Sequence, residues 1–596
     1  MQRKDIKVED TWDLTKYFKS KAEYEKLYKE TLKLLDELVT YKGRICESAD
    51  SLYNFLELND KISLNVELLY VYSYLYHYSD TTDSEGKIYR DKADKLDDVI
   101  TEKTSFIDSE LLSTPYETIK KYIKDNKKLE KYAFYLEKSF RYQKHVLSEA
   151  EERIISLANI ALGTPDNVFS ALDNADSKFG KVIVDGKEEE LNHSNYIKFM
   201  NNKDRDTRKK VFEKYYEFFV NHKNTIAEMY KGQIKEDLFT SKVRKFNSPL
   251  EMSLYSDNID VSVYKNLIKT LHDNMDPMYE YMKVRKEFLG LDELHMYDIY
   301  VDMVTGSTRT FTFDEARDVV LEAVKPLGEK YVDDLTKAFE NRWIDRYPND
   351  GKRSGAYQWG SYGVDPYVSL NFEGTEDSVS TLAHELGHAM HSYYSDNKQD
   401  HVYAQYPIFL AEIASTVNEV LVNEYLINNA KDDNEKLLYL TSFLDKFRAT
   451  VYRQTMFAEF EMLAHDMEQN GEALTEESLS EVYYNLNKLY YGDDVVSDDL
   501  IRYEWSRIPH FYTPFYVYKY ATGFCAALAI ASDILNKVPG AQERYLEFLS
   551  SGGSKYPLDT LKNCNVDMTT SEPITKGIAM FNEKLNQVKE ILKKVK

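Results

Sequence analysis

Apolar residues at helical spacing, sustained over long stretches with little to interrupt them, constrain this chain more than any other feature. Glu23 to Leu38, Leu52 to His77, Tyr116 to Gln143, Asp204 to Tyr230 and Asn434 to Gln469 set apolar positions three and four apart with charges between them. That pattern buries one face of a helix. Breakers are scarce, with 22 glycines and 13 prolines in 596 residues. Strand signals are few. Lys181 to Leu191 reads as a hairpin: Val182-Ile183-Val184, a tight turn at Asp185-Gly186, then a polar return run. Tyr357 to Trp359 and Tyr367 to Phe372 are the other candidates, with Val368, Leu370 and Phe372 alternating with Ser369 and Asn371. The expected class is mainly α, a multi-helix fold with a small β-sheet. A chain this long holds more than one core. A division near residue 200 would separate an α-helical N-terminal domain, 1–200, from a second domain, 201–596.

Within this helical background one segment carries chemistry. His384-Glu385-Leu386-Gly387-His388 is an HExxH pattern. A helix turns once in about 3.6 residues, so the two histidines leave one face a turn apart and can share a metal ion. Glu385 follows the first of them, where a carboxylate reaches a metal-bound water. Thr375 is a candidate cap for this helix and Glu376 and Asp377 suit its positive end. Val379, Leu382, Ala383, Leu386 and Met390 would bury it. Two histidines and a glutamate on a buried helix need a partner, and zinc is one. The plain alternative is a helix with two ordinary histidines.

A catalytic zinc takes three protein ligands and keeps a fourth position open. His391 lies on a similar face, but three ligands on one straight helix would strain a tetrahedron, so His391 is read as a supporting, substrate-facing or surface histidine. Pro407 to Leu421 reads as another buried helix, and Glu412 and Glu419 interrupt its apolar surface seven residues apart on one face. Either both lie on a solvated stripe, or Glu412 completes the metal site and Glu419 orients a ligand histidine.

These residues resemble peptidase family M3, the thimet oligopeptidase-like zinc metallopeptidases, and within it the oligoendopeptidase F branch. The resemblance rests on the motif together with Ala411-Glu412-Ile413-Ala414-Ser415-Thr416. It extends to Gly355-Ala356-Tyr357-Gln358-Trp359, to Asn371-Phe372-Glu373-Gly374-Thr375, to the His510–Gly523 segment and to the Phe179–Lys187 hairpin. It implies a zincin-like fold with a deep substrate channel and the small sheet beside the active site. It also implies one zinc ion on His384, His388 and Glu412, with Glu385 as general base. His510 with Tyr512 and Tyr516 would bind substrate and the developing oxyanion, Tyr518 being an alternative. Short unstructured oligopeptides would be the substrates. The hairpin at Asp185-Gly186 is a candidate for closing the channel, and the Tyr357–Trp359 and Tyr367–Phe372 strands for docking substrate backbone.

Charge narrows the alternatives. With 77 basic and 101 acidic residues the net charge is −24, which argues against nonspecific binding to nucleic acid or anionic membrane. No run of 18 apolar residues and no apolar leader is expected. Cys46, Cys525 and Cys564 are far apart without a CxxC, fitting packing residues in a reducing cytoplasm. Lys584 to Lys596 reads as a solvated basic helix end. Two rivals remain: a metallocarboxypeptidase, which needs a cation for the substrate carboxylate, and a peptide-binding protein with a structural zinc, which usually has four ligands and often cysteine.

Overall fold

The computed structural model describes residues 2–304 and 309–595. The chain forms two compact units, each assembled from three stretches of sequence. The first takes Met1–Val146, Thr308–Tyr425 and Ile530–Val566; the second takes Leu147–Ser307, Leu426–Ala529 and Asp567–Lys596. The position 200 boundary falls inside the first stretch of the second unit.

In the first unit three helices, Lys21–Val39, Ala49–Ser79 and Ser84–Thr104, pack side by side. Each begins where a side chain answers orphan N–H groups: Ser20, Ser48 and Asp83 accept from the backbone of Glu23, Ser51 and Gly86. Their shared core is rich in aromatic residues. Tyr24 lies 4.8 Å from Tyr89 and 5.8 Å from Tyr72 between ring centroids, and Tyr367 of the sheet enters the same cluster. That sheet has three short strands. Tyr367–Ser369 is central, parallel to Ile344–Asp345 and antiparallel to Tyr357–Trp359. Tyr357–Trp359 is therefore an edge strand. All three residues of the central strand are buried, so both of its faces are covered, where alternation had suggested one. Buried Asp345 holds the sheet's first strand by accepting from Arg3 and, at 2.6 Å, from the ammonium of Lys352.

The second unit is organised on the helix Arg205–Val243, which packs against Arg453–Gln469, Glu476–Tyr491 and the 3₁₀ segment Asp499–Arg507. Its interior carries an ion cluster: Glu504 accepts from Arg453 at 2.5 Å, Arg507 at 3.0 Å and the Tyr483 hydroxyl at 2.5 Å. Lys181–Val184 and Lys187–Glu190 form the expected hairpin. Its turn needs positive φ at both corners, and Asp185 (53°) and Gly186 (77°) supply it.

Several helices differ from the periodicity. The Arg205 helix runs on to Val243. The stretch from Tyr116 to Gln143 is broken: Asn126 caps a 3₁₀ turn by accepting from the Lys128 N–H, between helices Tyr116–Asp125 and Ala133–Phe140. A π turn, Arg448–Tyr452, separates Asp433–Phe447 from Arg453–Gln469. The C-terminal helix is packed along one face, with Leu585, Val588 and Ile591 buried. Among the described residues no helix is long and apolar enough to cross a membrane. All three cysteines are free thiols.

Candidate metal centre

The motif lies in the helix Glu376–Lys398. Thr375 caps it, its hydroxyl accepting from the Ser378 N–H at 3.1 Å, and Glu376 and Asp377 occupy the first turn. The second element is the helix Ile408–Asn428. The two helices meet backbone to backbone at Gly387. A Cβ there would stand 2.5 Å from Ser415 Cα and 2.7 Å from the Ala414 carbonyl oxygen, so only glycine permits this approach. Asn418 locks the register by donating to the Ala383 carbonyl at 3.2 Å and accepting from the Tyr331 hydroxyl at 2.9 Å.

This crossing brings three donor atoms together. His384 Nε2 and His388 Nε2 are 3.1 Å apart, and Glu412 Oε2 lies 3.4 Å and 3.5 Å from them. Ligands about 2.0–2.1 Å from a tetrahedral ion stand roughly 3.3 Å from one another. The three separations fit that geometry, and among the described residues this is the only grouping of three histidine, cysteine or acidic side chains close enough to hold an ion. Glu412 is 53% exposed, so the site is open to solvent as a reaction centre requires. Its carboxyl is held down to about 2, chiefly by the His388 ring. The Ser415 hydroxyl donates to it at 3.2 Å.

Glu419, two helical turns on, is only 10% exposed and accepts from His384 Nδ1. A carboxylate only accepts, so Nδ1 carries the proton and the Nε2 lone pair is left for the ion. The burial argument for an acid needing a partner thus applies to Glu419 rather than to Glu412.

Glu385 is 6% exposed. Burial pushes its carboxyl above the ordinary glutamate value, while His384, His388 and the Gln358 backbone N–H pull it back. Gln358 belongs to the edge strand, so the sheet and the motif helix meet at this carboxylate.

His391 is not a surface residue. It is fully buried, stacked on Tyr406 at 3.6 Å and 3°, with Phe548 at 5.1 Å. Burial pushes its imidazole down to about 3, so the ring is neutral. It packs the motif helix against the residues leading into Glu412.

The His510 segment lies in the second unit. Pro509–Tyr512 forms a 3₁₀ turn and Tyr518–Leu535 a helix. Here the structure groups His510 with Tyr516 and Tyr520. His510 Nε2 is 3.2 Å from the Tyr520 hydroxyl, and the Tyr516 ring stands 6.2 Å from His510 and 5.5 Å from Tyr520. Tyr512 turns away: its ring stacks on Phe169 at 4.3 Å and its hydroxyl is buried without a partner. Tyr518 is fully buried, 5.1 Å from Tyr264. Burial and the nearby Arg453 lower the His510 pKa, keeping the ring neutral. Tyr520 was missed by sequence reasoning, although its spacing four residues after Tyr516 on a helix start was a usable signal. Glu461 was missed as well. It is wholly buried, and it accepts at 2.6 Å from the N–H of Phe515, whose φ of 55° bends the chain between the turn and the helix.

Comparison with known proteins gives the family. The family model described as Peptidase family M3 matches residues 198–580, and that described as Oligopeptidase F matches 110–179. Oligopeptidase PepF of Bacillus subtilis (strain 168) is 42% identical over 595 residues, covering 100% of this chain and 89% of that protein. Group B oligopeptidase PepB of Streptococcus agalactiae is 37% identical, covering 99% and 98%. Among solved structures, oligoendopeptidase-F from Enterococcus faecium superposes with a TM-score of 0.74 at 33% identity, covering 96% of this chain and 99% of the other. A protein from Chlamydophila abortus superposes with a TM-score of 0.92 at 36% identity, covering 99% of both. The chain belongs to peptidase family M3 and is a metal-dependent endopeptidase of its oligoendopeptidase F branch.

Proposed function

We propose that the chain is a zinc endopeptidase of short, unstructured oligopeptides, with His384, His388 and Glu412 as ligands and Glu385 as general base. The observation that carries the reading is the triangle of donor atoms, 3.1, 3.4 and 3.5 Å on its sides, beside a buried carboxylate. Two imidazoles and one carboxylate, with no cysteine, are the donor set of a catalytic rather than a structural zinc. Zinc bound there supplies a Lewis acid that lowers the pKa of a water to about 7 and polarises a carbonyl.

The chain's own groups supply the rest. Glu385 takes the proton of the attacking water and passes it to the leaving amine. Its raised affinity for protons suits the second half of that task. Glu419 keeps His384 in the required tautomer. His510, Tyr516 and Tyr520, a neutral imidazole and two hydroxyls, have the chemistry of donors to a developing oxyanion. Tyr512, with its hydroxyl turned into Phe169 packing, is the weaker candidate. The edge strand Tyr357–Trp359 is the candidate for docking the backbone of an extended peptide. The two family matches, on either side of residue 180 to 197, support an N-terminal oligopeptidase F region and a catalytic region from about residue 200. Three free cysteines suit a reducing cytoplasm.

Metal analysis, combined with mass spectrometry of a digest of peptides blocked at both ends, tests this reading. About one zinc per chain and internal cleavage are expected. Cleavage that requires a free C-terminal carboxylate would instead make the chain a carboxypeptidase.

A further inference from the structure

The first unit contains a cavity of about 820 Å³ that shares one wall, the edge strand, with the docking role above and whose acidic side chains have no role there. Peptide- and ligand-binding sites commonly enclose roughly 300–1,000 Å³. One wall is the helix Ala49–Ser79. Another is the edge strand, through Gln358 and Trp359. A third is the motif helix beyond His388, through Ser392 and Asp396. The segment from His401 closes it and ends at Ala411, next to Glu412. The cavity therefore adjoins the metal centre.

Its lining carries four carboxylates, Asp60, Glu67, Asp97 and Asp396, and no lysine or arginine. Most of this charge is answered within the protein. His401 donates to Asp60 at 2.7 Å and to Glu67 at 3.0 Å. Lys131 reaches Asp60 at 3.4 Å, and Gln405 and the Tyr362 N–H each reach Glu67 at 3.2 Å. Asp396 is different: among the described residues no donor meets its carboxylate, and burial, reinforced by Glu67, pushes its pKa up to about 7. A second group on the same lining is also unmatched. The Gln358 Nε2 amide is buried without an acceptor, while its Oε1 accepts from Ser392 at 3.4 Å. A buried donor and an ion-seeking carboxylate without partners, in a peptide-sized cavity, mark a place where a ligand supplies what the protein does not. The walls add Trp359 and Tyr70, in edge contact at 6.0 Å between ring centroids, and aromatic faces favour cations.

We propose that this cavity is the subsite for a lysine or arginine side chain of the peptide, with Asp396 as its counter-ion. The proposal rests on the endopeptidase reading and adds a substrate class to it: oligopeptides with a basic residue at one fixed distance from the cut. A single cation is the occupant that best fits one half-buried, unanswered carboxylate: Asp97, the fourth, is exposed to solvent, and a divalent ion would call for several free oxygens in the cavity, where Asp60 and Glu67 have theirs engaged.

The test is a set of end-blocked peptides in which one residue is lysine, norleucine or glutamate, scanned through each position, with kcat/KM measured for each. At one position lysine should exceed norleucine by about tenfold or more, and glutamate should fall below both. Asp396→Asn should bring the lysine-to-norleucine ratio down to near one. Equal cleavage of the lysine and norleucine peptides at every position by the wild type overturns the subsite and leaves the endopeptidase reading standing; this arm needs no variant to fold. A preference that survives in Asp396→Asn also overturns the role of Asp396. If no blocked peptide is cleaved, the endopeptidase reading fails and the subsite fails with it.

Discussion

The carboxylate of Glu419 grips Nδ1 of His384, and so leaves Nε2 of the first motif histidine as the nitrogen that faces His388 and Glu412. Glu419 comes from a different helix than His384 and meets its Nδ1, on the far side of the ring from the Nε2 of the triangle. Its removal should therefore weaken the metal without removing a ligand. Glu419→Gln is expected to lower zinc affinity roughly tenfold to a hundredfold. Competition with a chelator measures this, alongside circular dichroism to check the fold. Unchanged affinity would mean that the tautomer is set elsewhere.

Gly387 is the point of closest approach between the two metal-site helices. Gly387→Ala forces a methyl group against Ser415 Cα and the Ala414 carbonyl, both backbone atoms that cannot swing aside. Overpacking of this kind costs about 1–3 kcal/mol. Because the strain separates Glu412 from the histidines, zinc affinity should fall along with the melting temperature. A stable variant with normal zinc binding would contradict the tight crossing.

The tyrosines near His510 separate by geometry. Tyr520→Phe or Tyr516→Phe should lower kcat more than it alters KM, by about 100- to 1,000-fold for a true oxyanion donor. Tyr512→Phe removes a hydroxyl that has no partner and should leave kcat within a few-fold of wild type. Steady-state kinetics on one peptide with all three variants would detect a reversal of this order.

His401 gives the first unit a pH dependence. Burial opposes its charge, but the hydrogen bonds it donates to Asp60 and Glu67 outweigh burial and raise its pKa from 6.5 to about 9. A raised pKa means that the folded state binds the proton more tightly. The stabilisation is complete below pH 6.5 and is lost as pH rises to 9, amounting to about 3 kcal/mol at most. The melting-temperature gap between wild type and His401→Gln should therefore be largest near pH 6 and shrink toward pH 9. A gap that widens with pH would contradict the ion pair.

The motif and the candidate donors were legible because each depends on local periodicity: His384 and His388 one turn apart, Glu412 and Glu419 on one face of a single helix, although burial, the reason for expecting a partner, holds for Glu419 and not for Glu412. The long helices were legible for the same reason, and so was the Thr375 cap, but not the breaks at Asn126 and at Arg448–Tyr452. What was hidden depends on contacts distant in sequence. Nothing around Gly387 says that another backbone lies 2.5 Å from its missing Cβ. His391 looks like a third member of a histidine stripe until Tyr406 is found stacked on it. The grouping of Tyr520, and not Tyr512, with His510 follows from the 3₁₀ turn and the left-handed Phe515, a bend that Glu461 anchors from another helix. The two units are discontinuous because Ile530–Val566 joins the first unit by tertiary packing, which hydrophobic pattern does not report.

The most direct measurement is anomalous diffraction at the zinc edge from crystals grown with zinc. The predicted map has one strong peak per chain, about 2.0–2.2 Å from His384 Nε2, His388 Nε2 and an oxygen of Glu412. A peak ligated by other residues, or a fully active enzyme whose crystals show none at this site, would contradict the proposed centre.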